Sequence, residues 1–258
     1  MGNFESSEVT KAFLDARKKF LNKESRIIAG ISGGPDSMAL LYLLHRTETD
    51  TIAVHCNYEL RGRDSDRDQE LVEQMCRMWG IECVSVRPDI DKESGNFQNI
   101  ARDERYRIFE DIKREYDADY IATAHHSDDQ VETILQKLLR GGGIGSWKGM
   151  SPMDGEYFRP LLDIPKSGIL KFVQQMNVPF RMDGSNEEST YARNFLRHAW
   201  FPDLNRLFPG WKDNLLRLPE RSDEYTSMAD TILAGCLNGT RKLNRDKFLA
   251  LPENIRQG

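Results

Sequence analysis

Six residues, Ser32-Gly33-Gly34-Pro35-Asp36-Ser37, hold the densest chemistry in the chain. Two glycines let a backbone approach a ligand closely, and two serines add hydroxyl donors. Pro35 suits a first helical turn, where its missing N–H costs nothing. Backbone N–H groups at such a turn, with the helix start behind them, suit an anion. Asp36 is the odd member. A carboxylate does not take a phosphate unaided, so it calls for an intervening cation, most simply Mg²⁺. There is no Gly-Lys-Ser/Thr as in a Walker A loop, and no G-x-G-x-x-G dinucleotide fingerprint.

A second dense stretch is Ala124-His125-His126-Ser127-Asp128-Asp129-Gln130-Val131-Glu132-Thr133. Asp129 and Glu132 stand three apart, on one face of a helix. Acids at a helix start are also favoured by the dipole alone. The two histidines lack a zinc-type spacing. His55-Cys56-Asn57-Tyr58-Glu59-Leu60-Arg61-Gly62 forms a third stretch, and Arg102 and Arg105 share a helix face in a fourth. Between residues 191 and 221, Arg193, Arg197, Arg206, Lys212, Arg217 and Arg221 face only Asp203, Asp213 and Glu220. A local excess of positive charge in a chain of net charge −5 reads as a phosphate-backbone surface, with Tyr191, Trp200, Phe201 and Trp211 at hand for stacking.

The elements that must position these groups are legible from periodicity. An opening amphipathic helix is expected over 7–22. Short apolar runs at 26–31, 51–55, 82–86 and 120–124 read as strands. Helices follow them from Met38 to Leu44, Arg63 to Trp79, 96 to 116 and Ser127 to Leu139. Leu71, Met75 and Met78 are expected to face inward on the second of these. Strands alternating with helices imply an α/β fold with a doubly wound, mainly parallel, Rossmann-like sheet. Its ligands should lie beyond the carboxyl ends of the strands, where Ser32, His55 and His125 fall. Gly141–Gly145 reads as a hinge or a backbone-contact loop, and Phe158–Leu162 as a short extended piece before a helix from Pro165 to about Met176. Beyond Arg193 the pattern is helical, broken at Pro202, Pro209 and Pro219. The expected division is a catalytic domain over 1–208 and a small all-α domain over 209–258. Leu251–Gly258 reads as the middle of a helix, so that second domain is expected to be incomplete.

The 258 residues are 39% hydrophobic and 30% charged, with mean hydropathy −0.61. No apolar run approaches 18 residues and the N-terminus has no signal-peptide core, which points to a cytoplasmic protein with no membrane partner. Cys56, Cys76, Cys83 and Cys236 form no C-x-x-C pair and read as reduced packing residues.

The Ser32–Ser37 motif resembles the PP-loop of the ATP pyrophosphatases, which split ATP between its α- and β-phosphates. With H-C-N-Y-E-L-R-G, A-R-D-E-R-Y, A-T-A-H-H-S-D-D-Q-V-E-T, L-L-R-G-G-G-I-G and Y-A-R-N-F-L-R in this order, the chain resembles the tRNA(Ile)-lysidine synthetases from about Arg26 to Arg197. Cys56 and Tyr58 stand where the family motif reads H-V-N-H. The resemblance implies a ligase that adenylates C2 of the wobble cytidine in a CAU-anticodon tRNA(Ile) and then joins free L-lysine to it. ATP and Mg²⁺ are the implied cofactors. Ser32, Gly33, Gly34, Pro35, Asp36 and Ser37, with His55 and His125, are implied to bind ATP. Asp36 and Asp129 are implied to hold the metal, and Asp36, Arg105, Asp129 and Glu132 to carry the chemistry. Arg140, Arg193 and Arg197 are implied to face the tRNA; a homodimer stays open. The rival readings are a PP-loop tRNA 2-thiolation enzyme, an amidating PP-loop ligase and an adenine-nucleotide sensor.

Overall fold

The computed structural model describes residues 4–90, 97–182, 195–236 and 244–252. Their contacts divide the chain into two compact units. One comprises 1–129 with 151–199, the other 130–150 with 200–258.

The first unit is built on a six-stranded sheet of order β3-β2-β1-β4-β6-β5. Its strands are β1 (Ile27–Gly30), β2 (Thr51–Cys56), β3 (Glu82–Val86), β4 (Tyr120–Ala122), β5 (Met153–Asp154) and β6 (Tyr157–Phe158). The first four strands and β6 run parallel, and β5 pairs antiparallel to β6. The two-residue β5–β6 hairpin was not foreseen; only its end, Phe158, fell in the expected extended piece. The helices are α1 (Glu8–Phe20), α2 (Pro35–Arg46), α3 (Arg63–Trp79), α4 (Phe97–Glu115), α5 (Ser127–Leu139) and α6 (Lys166–Gln175).

Period-two alternation sorts β1 between two cores. Ile27, Ala29 and Ile31 join α1, α2, α3 and α6 through Phe13, Leu40, Val72 and Phe172. Ile28 faces the other way, with Ile52, Val54 and Ile121, against Ile108, Phe109 and Ile112 of α4. The sheet is therefore covered on both faces, as a parallel sheet requires. Met78 is a correction: it is 66% exposed, and Val72, Met75 and Cys76 form the buried stripe of α3. The helix packs beside the edge strand β3, and in its last turn Trp79 stacks on His45 of α2 (5.2 Å) while Met78 turns to solvent.

Strand order reverses between β1 and β4. After β1 the chain turns one way through α2 to β2; after β3 it crosses back through α4 to β4, on the opposite side of β1. The loops leaving β1 and β4 diverge there and open a crevice at their carboxyl ends, the usual ligand position of such sheets. Gly30, the last residue of β1, makes that end possible. A Cβ there would lie 2.6 Å from Phe109 Cζ, so α4 packs against bare backbone. Gly30→Ala is expected to destabilise the unit by about 1–3 kcal/mol through overpacking, measured by urea unfolding.

In the second unit the elements after Trp200 are helical: α7 (Phe201–Leu207), α8 (Trp211–Leu216), α9 (Leu218–Ala234) and α10 (Arg245–Leu249). Pro202 and Pro219 sit in the first turns of α7 and α9. Pro219 opens its helix, where a missing N–H costs nothing, whereas Pro202 follows directly on the π-helical turn Leu196–Trp200 and so lies in a helical run that begins before it. Leu251 and Pro252 lie past α10, and 253–258 fall outside the described residues. Gly141–Gly145 is the backbone-contact form of the two expectations. Gly142 N–H bonds to Lys137 O at the end of α5, Trp147 Nε1 donates to Gly142 O (2.7 Å), and buried Ser222 donates to Ile144 O (2.8 Å).

Candidate active site

The turn after β1 is folded around one hydroxyl. Ser37 Oγ accepts from the amides of Ser32 (3.1 Å) and Gly33 (3.2 Å) and donates to Gly34 O (3.1 Å). Gly34 N–H in turn reaches Ser32 Oγ at 3.4 Å. The two serines therefore shape the loop as well as offering donors to an anion. Gly33 has φ +91°, a region L side chains rarely adopt, and its carbonyl accepts from Arg181 N–H (3.0 Å). Gly34 caps α2 with no side-chain bond, so the helix presents its first amides at the crevice, with Pro35 in the first turn.

Asp36 stands in that first turn. Its Oδ1 is buried and has no hydrogen-bond partner among the described residues. Its Oδ2 lies 3.7 Å from both His126 Nε2 and Lys166 Nζ. His126 is buried, and its Nδ1 lies 3.4 Å from Asp129 Oδ2. One imidazole thus stands between two carboxylates, one from the end of β1 and one from the end of β4. Asp129 Oδ2 also accepts from His126 N–H (3.1 Å), and Asp128 Oδ2 accepts from Lys166 N–H (2.9 Å). Both acids therefore cap and tether as well as carry charge. Arg197 Nη2 lies 3.3 Å from Asp129 Oδ1.

The basic groups approach these acids at 3.3–3.7 Å, beyond the 2.7–2.9 Å of tight charge-assisted bonds. Mg²⁺ usually takes one or two carboxylates together with substrate phosphates and waters. The partnerless buried Asp36 Oδ1, with Asp129 beyond His126, fits that donor set. Among the described residues no three His, Cys, Asp or Glu converge to hold a metal by themselves, so the phosphates would have to complete the shell.

His55 is buried and its Nδ1 lies 2.8 Å from Ile31 O, which makes Nδ1 the donor. It ties β2 to the strand end that launches the loop. Burial lowers its pKa. The folded state thus disfavours the imidazolium, and the unfolded chain binds the proton more readily. Stability contributed by His55 is present above the unfolded value near 6.5 and declines as pH falls from there toward the lower folded value. Thermal melts from pH 8 to 5 should show this decline, and His55→Asn should flatten it.

His125 is half-buried, with Nδ1 2.8 Å from Thr123 Oγ1. Arg105, on α4, is exposed and lies over the Tyr58 ring at 5.8 Å. Tyr58 donates to Ala101 O (2.9 Å), so Tyr58 pins the end of β2 to α4. Burial raises the neighbouring Cys56 thiol to about 11, and Arg105 only partly offsets it. In the second unit Glu132 is buried at 1% exposure, one turn beyond Asp129 along α5, and Arg140 is exposed past the end of α5. Arg193 and Tyr191 lie outside the described residues. Arg197, expected to face the tRNA, has its Nη2 3.3 Å from Asp129 Oδ1. Phe201 is buried with its ring 4.9 Å from Trp211, so these two pack together, whereas Trp200 is 42% exposed.

Three further groups complete the picture and carry no local sequence pattern: Lys166, Asp68 and Arg181. Asp68 is buried and receives Arg61 Nη2 at 2.7 Å and Arg181 Nε at 2.6 Å. Its backbone carbonyl closes on Gly33, where a Cβ would come within 3.4 Å. Arg61, part of the stretch after β2, thus braces the floor of the loop through Asp68.

A doubly wound sheet, a serine-glycine turn at the switch point and facing acids define a nucleotide-type crevice. Residues 5–204 match the family model described as a PP-loop domain, and the chain belongs to that family. It is similar to tRNA(Ile)-lysidine synthases: 35% identical over 214 residues to that of Bacteroides thetaiotaomicron (81% of this chain, 50% of the relative). It is 34% identical over 260 residues to that of Bacillus subtilis (91% and 55%). The chain spans about half the length of the curated relatives it matches. A U34-tRNA thiolase, NcsA from Methanococcus maripaludis with its 4Fe-4S cluster, shares the fold at TM-score 0.67 and 19% identity, over 83% of this chain and 78% of that one. No helix among the described residues is long and apolar enough to cross a membrane.

Proposed function

We propose that the chain carries the catalytic half-reactions of lysidine formation: ATP-dependent joining of free L-lysine to C2 of the wobble cytidine of tRNA(Ile) with a CAU anticodon. The observation that carries the reading is the juxtaposition of the Ser32–Ser37 turn with Asp36, His126 and Asp129, in a chain similar to lysidine synthases over most of its length. ATP lies with its phosphates against Ser32, Gly33, Gly34, Pro35, Asp36 and Ser37, with His55 and His125 at the neighbouring strand ends. Bound Mg²⁺ would neutralise phosphate charge, held by Asp36 and Asp129. The cytidine O2 attacks the α-phosphorus, the α–β bridge breaks and pyrophosphate leaves. The lysine ε-amine then attacks C2, the C2–O bond breaks with AMP as leaving group, and the amine gives up a proton.

Glu132 and Arg105 are assigned to the lysine and the adenylate. A carboxylate beside the amine can take the proton that must be lost before or during attack, and a guanidinium can meet the adenylate's phosphate. Arg140, Arg193 and Arg197 are assigned to the tRNA backbone, and 209–258 to a helical tRNA-binding domain. A cytoplasmic location follows from the substrates.

The thiolation alternative is less well supported. The four cysteines are free, and among the described residues none joins a three-ligand cluster site. Labelled lysine offered with ATP and a tRNA(Ile) transcript tests the reading. Label should enter the RNA, and a transcript with its wobble cytidine changed to uridine should take none. Equal labelling of both would overturn it.

A further inference from the structure

A phosphate loop of the Walker type carries its own lysine, which reaches the terminal phosphates. The Ser32–Ser37 turn has none. The fold brings one from far along the chain. Lys166 opens α6, and its position is fixed through backbone rather than side chain. Its N–H donates to Asp128 Oδ2 (2.9 Å), and Ser127 N–H donates to Ile164 O (3.0 Å). The loop before α6 is thereby laced to the start of α5. The consequence is that Lys166 Nζ lies 3.7 Å from Asp36 Oδ2, at the mouth of the crevice, with 41% of the side chain exposed.

We propose that Lys166 is a phosphate-binding residue of the ATP site, its ammonium swinging from Asp36 to the β- and γ-phosphates and holding pyrophosphate as it leaves. This deepens the reading of the crevice as an ATP site and rests on it. Three features support it. The Nζ–Asp36 separation is too long for a strong bond, so little is lost when the ammonium turns to a phosphate. The stem is anchored at its Cα while the head is free to rotate. An ammonium is a compact point charge with three rotatable donors on a flexible stem, and it meets phosphate as such. Since pyrophosphate gains negative charge as the α–β bridge breaks, a cation fixed there acts on the transition state as well as on binding.

Calorimetric titration of the full chain with pyrophosphate in EDTA tests this without any metal. Lys166→Met should weaken binding about tenfold or more, the loss of one charge-assisted contact. Lys166→Arg should restore most of it. Lys171→Met, on the exposed face of α6, should bind as the unchanged chain does. The substitution leaves the backbone N–H to Asp128 in place, and unchanged melting would confirm folding. If the unchanged chain binds pyrophosphate and Lys166→Met binds it equally well, Lys166 has no such role while the ATP site stands. If the unchanged chain binds ATP with Mg²⁺ but no pyrophosphate in EDTA, the lysine role falls while the ATP site stands; if it binds neither pyrophosphate in EDTA nor ATP with Mg²⁺, both readings fall.

Discussion

Asp36→Asn is expected to lower pyrophosphate release from ATP by about a thousandfold, the upper range for removing one preorganised electrostatic contact. The isosteric amide keeps the shape of the first turn of α2. It removes the charge from Asp36 Oδ1, which is buried without a partner among the described residues, and from Oδ2, which His126 and Lys166 approach. The stability effect should be small. An acid in a first helical turn contributes about 0.3–1 kcal/mol, and relief of the partnerless buried oxygen offsets part of it. Steady-state assay beside a thermal melt separates the two. Near-native turnover in a folded Asp36→Asn chain would remove Asp36 from the chemistry.

The second large effect is expected at Asp68. One buried carboxylate holds two guanidiniums from distant segments, and Arg181 also holds Gly33 O through its backbone amide. Breaking a fully buried pair costs about 3–5 kcal/mol. Arg61 and Arg181 are 29% and 34% exposed, so solvent takes back part of that, and about 2 kcal/mol is expected for Asp68→Ala. For a unit of this size that is a fall of about 4–8 °C in Tm. Because the brace underlies the loop, KM for ATP should rise about tenfold, the equivalent of roughly 1.4 kcal/mol. A chain that melts and binds ATP as before would show that the brace is decorative.

What was legible in the sequence is what is local. The Ser32–Ser37 motif announces itself because glycine, proline and serine at fixed offsets serve one turn. α3 ends where it was expected to end because Gly80 adopts the left-handed conformation that stops a helix (φ +67°). The four main strands were visible as apolar runs. The hairpin β5–β6 was not, since two-residue strands leave no periodicity to read. The candidate site divides the same way. Asp36 and Asp129 stood out beside glycines and histidines. Lys166, Asp68 and Arg181 did not, because their roles come from tertiary placement: Arg181 meets a carboxylate 113 residues away. His55 was legible as a strand-end residue, while its bond to the Ile31 carbonyl, which ties it to the scaffold, was not. Arg197 sat in a basic run whose net charge suggested RNA, and the fold also sets it 3.3 Å from Asp129. Charge counted along a sequence cannot tell an outward guanidinium from one turned toward an acid.

The most direct measurement is pyrophosphate release from ATP with lysine and tRNA(Ile) transcript each present or withheld. The account predicts release that requires the tRNA, with one lysine joined to RNA for each pyrophosphate formed once lysine is added. Release that proceeds at the same rate without tRNA, or tRNA-dependent release with no lysine joined, would contradict it.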